Sequence, residues 1–158
     1  MNARVEATTD REIVTERLIN APRELVWKAW TDPKHLEQWW GPTGFTTTTK
    51  EFDFKPGGVW FHTMHGPDGT DYPNEIYYEE ILEPSLITYA HGGGEVGAND
   101  AQFHSTITFD DQDGKTLLTM RAVFDTVAQR DHVVKMYHAI EGGQQTIARL
   151  DEYVMKLS

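Results

Sequence analysis

Four of the five tryptophans in this 158-residue chain fall within one stretch, Ala21 to Pro42. Pro22 and Pro33 suit the first turn of a helix, where a missing N–H has no partner to lose. Asp32 stands where its carboxylate can cap the second segment. Leu25, Val26, Ala29 and Trp30 give the first segment an apolar side, and Leu36, Trp39 and Trp40 do the same for the second. Gly41-Pro42 then stops the helix. Two short helices carrying this much indole surface need a large apolar partner, and the segments that follow supply one. The stretch reads as a bracket that closes a sheet.

The rest of the chain reads in strands and then a helix. Glu12 to Asn20 is the first strand. After Pro42, strand patterns run over Phe45–Lys55, Val59–His65, Asn74–Glu83, Leu86–His91, Gln102–Asp110 and Lys115–Phe124, each closed by turn residues. Asp111-Gln-Asp-Gly114 marks a tight hairpin between the last two. From Thr126 the period becomes helical. Thr126 and Gln129 form a capping-box pattern. Val133, Tyr137, Ile140, Ile147, Leu150, Val154 and Leu157 then recur at three- and four-residue spacing, which predicts one long amphipathic helix. Gly142-Gly143 interrupts it at a cost of roughly 1 kcal/mol per glycine relative to alanine, so a kink, a close contact or an opened pocket wall is expected there. Strands gathered between helical ends argue for one α+β domain over residues 12–158 with an antiparallel sheet. Residues 1–11 are polar and expected to be frayed.

These motifs carry a family resemblance. Ala-Pro-x-x-Leu-Val-Trp-x-Ala-Trp-Thr-Asp-Pro-x-x-Leu-x-x-Trp-Trp-Gly-Pro resembles the opening of the Hsp90-ATPase-activator-like (AHSA1-type) group of the START/Bet v 1-like superfamily. Asp53–Trp60 and Glu141–Tyr153 extend the resemblance over nearly the whole chain. It implies a helix-grip fold, in which the sheet wraps the long C-terminal helix. It also implies that the face of Trp60 points inward. Function is far less constrained, since this scaffold carries binders, cyclases and co-chaperone domains alike. Two departures matter. Many relatives have a tryptophan where this chain has Gly143, so a cavity enlarged toward Trp60 and Tyr78 is expected. Fuller Hsp90 activators carry a separate N-terminal domain with no counterpart here, so Hsp90 contact is not expected.

Composition removes other classes of function. The chain has no cysteine, which excludes disulfides, thiolate metal sites and cysteine nucleophiles. Fourteen Lys plus Arg against 25 Asp plus Glu give a net charge of −11, a surface that repels phosphate backbones and anionic membranes. Nucleic acid and membrane are therefore not expected partners, a small hydrophobic molecule is, and homodimerisation stays open. With no apolar signal core at the N-terminus, the expected location is cytoplasmic.

Strand alternation sorts candidate site residues by face. Trp60, His62 and Met64 share one face, and Ile76, Tyr78 and Glu80 another. Ile87, Tyr89 and His91 share a third. Phe103, Ser105, Ile107 and Phe109, with Leu118, Met120, Ala122 and Phe124, form rows that read as core. Polar groups on aromatic faces suit a ligand pocket, which singles out His62, Tyr78, Glu80, Tyr89 and His104. The helix-grip arrangement adds Trp40, Trp60, Met64, Tyr137, Ile140 and Gly143 as expected walls. His62 and Glu80 could alternatively serve as an acid–base pair for cyclase- or hydratase-like chemistry, or simply satisfy each other. A third reading is a protein-interaction module of Hsp90 co-chaperone type. No metal or cofactor is expected: His62 and His65 sit at an odd offset on a strand and face opposite ways. Gly92-x-Gly94-x-x-Gly97 matches a dinucleotide fingerprint in letters but leads into a strand instead of a helix.

Overall fold

The computed structural model describes residues 9–92 and 103–157, apart from the side chains of Thr9, Met136 and Tyr137. A 3-10 turn at Thr9–Arg11 leads into β1 (Glu12–Ile19), followed by α1 (Arg23–Thr31) and α2 (Pro33–Trp39). Six strands come next: β2 (Thr46–Phe52), β3 (Val59–His65), β4 (Asp71–Leu82), β5 (Leu86–Gly92), β6 (Phe103–Gln112) and β7 (Lys115–Phe124). Helices α3 (Val127–Tyr137) and α4 (Ala139–Leu157) end the chain. The strands form one antiparallel sheet in the order β1-β7-β6-β5-β4-β3-β2. Sequential hairpins build the run from β2 to β7, and β1 closes onto its far side. The α1–α2 bracket is the one connection that must cross the sheet.

Local signals act as read. The Asp32 carboxylate accepts from the Lys34 N–H, with Pro33 at the head of α2. The Thr126–Gln129 capping box is complete. Asp113 and Gly114 both have positive φ, 54° and 86°, as a two-residue hairpin turn compatible with strand twist requires. The bracket is buried: Trp27, Trp30 and Trp39 are all inside. Trp27 and Trp30 meet Phe109 of β6 edge-on at 5.1 and 5.9 Å. Trp39 donates its indole N–H to the Ala29 carbonyl at 3.1 Å, so its burial leaves no polar group unsatisfied.

The long helix is not continuous. His138 adopts the left-handed conformation (φ 52°, ψ 48°) and ends α3, while its carbonyl accepts from the Gly142 N–H at 2.8 Å to start α4. Side-chain periodicity is blind to a single such residue, because the second helix begins immediately.

The two glycines of α4 reflect close contact. A Cβ on Gly143 would lie 2.9 Å from Thr15 Oγ1 of β1, and one on Gly142 would lie 3.3 Å from Pro42 Cγ. The helix is therefore wedged between β1 and the segment after α2, and side chains at these positions would push it out.

Candidate functional site

A cavity of about 410 Å³ lies between the sheet and the N-terminal half of α4. Strands β1 and β3–β7 contribute to its wall, as do Trp40 and Gly41 after α2, Val133 of α3, and Ala139, Gly143 and Thr146 of α4. The space exists because small residues meet there. Ser105 and Ala122 are cross-strand partners on β6 and β7, and Gly143 and Thr146 face the cavity from above. Around these, Met64, Met120, Phe103 and Phe124 provide apolar surface. Thr70, Asp71 and Pro73, exposed where the β3–β4 turn enters β4, form the rim.

Among the described residues, polar groups inside are few. Tyr89 and Ser105 are buried cross-strand partners. Burial pushes the Tyr89 hydroxyl up to about 12, against a smaller opposing effect of the Ser105 hydroxyl, so it stays protonated at neutral pH. Asn74 is buried and donates Nδ2–H to the Tyr72 carbonyl at 2.8 Å. Thr146 turns its hydroxyl back to the Gly142 carbonyl at 2.7 Å. His91 stacks on Phe103 with ring centroids 4.5 Å apart.

Trp40 is the partition between this cavity and a sealed aromatic layer. It lines the space on one side and meets Trp60 at 5.0 Å and His62 at 5.9 Å on the other. His62 stacks on Trp60 at 3.8 Å and is 2% exposed, and neither ring nitrogen completes a hydrogen bond of normal geometry. Burial, with the charge of His91 as a smaller contribution, lowers its pKa to about 3. It is a neutral imidazole at physiological pH. Arg149 of α4 fixes the partition's backbone, donating to the carbonyls of Trp40, Gly41, Pro42 and Gln38 at 2.8–3.4 Å.

Of the residues expected at the site, Trp40, Met64, Tyr89 and Gly143 line the cavity. Trp60 and His62 lie behind the partition, and Tyr78 is packed against Phe54 at 4.9 Å in the core. Ile140 is half-buried outside the lining, and the Tyr137 side chain lies outside the described residues. Two assignments are corrected. Glu80 is exposed, because an extra residue, Glu79, bulges β4 between the pairs Tyr78–Tyr89 and Glu80–Thr88. A bulge reverses the alternation beyond it, so Glu80 shares no face with Tyr78 and the His62–Glu80 pair does not form. His104 is exposed on the outer face, its Nδ1 3.4 Å from Glu79 Oε1. Gly143 does face the cavity, but a side chain there is directed first at Thr15, not at Trp60 and Tyr78. Apart from Gly92, the glycine fingerprint lies outside the described residues. Among the described residues, no group of three or more His, Asp or Glu is arranged to hold a metal ion.

Among the lining residues that sequence reasoning passed over are Phe103, Ser105, Met120, Ala122 and Phe124, read there as core rows. The available signal was size: each row carries a small residue, Ser105 or Ala122, at the same level of the sheet.

An antiparallel sheet gripping a C-terminal helix around a cavity defines the Bet v 1-like helix-grip class. Within that class, the chain belongs to the family described as Activator of Hsp90 ATPase homolog 1-like protein, whose model matches residues 20–155. Solved structures agree on the fold. A protein from Arthrobacter aurescens superposes with a TM-score of 0.87 at 24% identity, covering 94% of this chain and 88% of its own. One from Nitrosomonas europaea does so with 0.82 at 24% identity, covering 94% and 97%. The AHSA1 protein from Silicibacter pomeroyi gives 0.74 at 18% identity, covering 93% and 99%. No curated protein matches the sequence. Among the described residues, no helix is long and apolar enough to cross a membrane.

Proposed function

We propose that this protein binds a small hydrophobic or amphipathic molecule in the cavity between the sheet and α4. The observation that carries this reading is the cavity itself: about 410 Å³ of space with apolar walls and a few fixed polar groups, the usual make-up of a small-molecule site. Well-packed interiors keep few voids larger than a water molecule, so a cavity of this size against Trp40, Met64, Met120 and Phe103 supports a binding role. Binding is favoured over acid–base catalysis because Glu80 is outside and His62 is sealed behind Trp40 as a neutral, weakly basic imidazole.

The test is a fluorescence titration with N-phenyl-1-naphthylamine, an uncharged probe that brightens in apolar surroundings. Wild type should bind it saturably. Ala122→Trp, which places an indole in the cavity, should weaken binding at least about tenfold, equivalent to ~1.4 kcal/mol. Ala122→Leu should act in the same direction with less risk to folding. Equal affinity in wild type and in folded variants would overturn the reading.

A further inference from the structure

The chemistry of the cavity wall selects among ligands by charge. We infer that the site takes uncharged amphipaths bearing a hydroxyl or carbonyl group and rejects carboxylates, sulfonates and phosphates; this rests on the ligand-binding reading above. Among the described residues, no lysine or arginine lines the cavity. Of the guanidiniums behind its wall, Arg149 is engaged with the carbonyls of Trp40, Gly41, Pro42 and Gln38, and Arg11 with those of Phe124 and Asp125. At the rim stands the Asp71 carboxylate, 63% exposed and 2.8 Å from His65 Nδ1.

An anion entering this space would leave water without gaining a lysine or arginine partner, and would pass a carboxylate on the way; His91, the one imidazole among the described lining residues, is stacked on Phe103. An isolated buried charge is among the most costly groups a protein can hold. A hydroxyl or carbonyl has better prospects. Tyr89 and Ser105 lie side by side across the strands, both buried and both able to donate and accept. Asn74, on β4, adds an amide that one bond to Tyr72 does not exhaust. The expected pose puts the polar end of the ligand toward Tyr89 and Ser105, and its apolar body against Phe103, Phe124, Met120 and Trp40.

A matched pair of probes isolates the charge. N-phenyl-1-naphthylamine and 1-anilinonaphthalene-8-sulfonate share a ring skeleton and differ by one sulfonate. Wild type should bind the sulfonate about 100-fold more weakly, the order expected when a charge is desolvated without a partner. The ratio should persist in 0.5 M salt, where screening over a few ångströms removes the influence of the protein's net charge. Asp71→Lys, an exposed substitution with little consequence for folding, should narrow the gap about tenfold, and Met120→Lys should narrow it further. Comparable affinity for both probes would overturn the charge selection and leave the binding reading intact. A gap that vanishes in salt would also overturn it, by assigning the effect to the surface. Failure of the neutral probe to bind would instead remove the binding reading on which the inference stands.

Discussion

The two ends of the sheet are built on the same strands and under the same helix, yet one is solid and the other hollow. At the solid end Ile107, Phe109 and Leu118 are wholly buried, with Ile147, Leu150 and Val154 of α4 and the tryptophans of the bracket packed around them. At the hollow end the equivalent rows continue as Phe103, Ser105 and Ala122, and α4 presents Gly143 and Thr146. Trp30 meets Trp39 at 4.9 Å on the solid side, whereas Trp40, the very next residue after Trp39, already lines the cavity. The tightly packed core and the cavity thus lie at different ends of one sheet. Volume per residue, more than hydrophobicity, makes the difference.

The largest expected effects lie at the solid end. Trp39→Ala should lower unfolding free energy by about 3–5 kcal/mol in a denaturant titration, and Phe109→Ala should fall in the same range. Phe103→Ala, a similar truncation at the hollow end, should cost about 1 kcal/mol, since its ring already borders space and relaxation is easier. Equal losses for Phe109→Ala and Phe103→Ala would erase the distinction between the two ends.

A second test separates the sealed aromatic layer from the cavity by pH. The folded-state pKa of His62 lies near 3, below its ordinary 6.5, so below pH 6.5 the unfolded chain takes up a proton that the folded chain refuses. Stability from this group is fully present above 6.5 and is lost as pH falls toward 3. By pH 5 the loss should be about 2 kcal/mol relative to pH 7.5. His62→Phe keeps the stacked ring and should remove that part of the acid sensitivity. An unchanged pH profile in the variant would show that the imidazole gains a partner or solvent in the folded state.

The smallest expected effects concern the helix seat. Gly143→Ala gains up to about 1 kcal/mol of helix propensity but forces a Cβ to within 2.9 Å of Thr15 Oγ1, and Thr15 is stiff about χ1. A net loss of about 1 kcal/mol is expected from overpacking. Adding Thr15→Ala should recover it, and a double-mutant cycle with no coupling would refute the contact. Removing the capping-box hydroxyl with Thr126→Ala should cost about 1 kcal/mol, measurable as a lowered melting temperature.

Local chemistry made much of this molecule legible from its residues. Pro33 after Asp32, Thr126 before Gln129 and Asp113-Gly114 each act through bonds or dihedrals within a few positions, so their outcomes could be read without the fold. The α+β class with an antiparallel sheet could likewise be read from the order of strands and helices, and the helix-grip arrangement from the family resemblance of the Ala21–Pro42 stretch. Non-local choices could not be read that way. The bulge at Glu79 turns Glu80 outward because β4 must pair with β5 on both sides of it. His138 breaks the helix where α3 and α4 take separate seats. Ser105 and Ala122 are ordinary small residues in sequence, and they open a cavity because pairing across β6 and β7 puts them side by side under Gly143. A void is made by what several distant segments jointly fail to fill, and only the tertiary structure determines which segments those are.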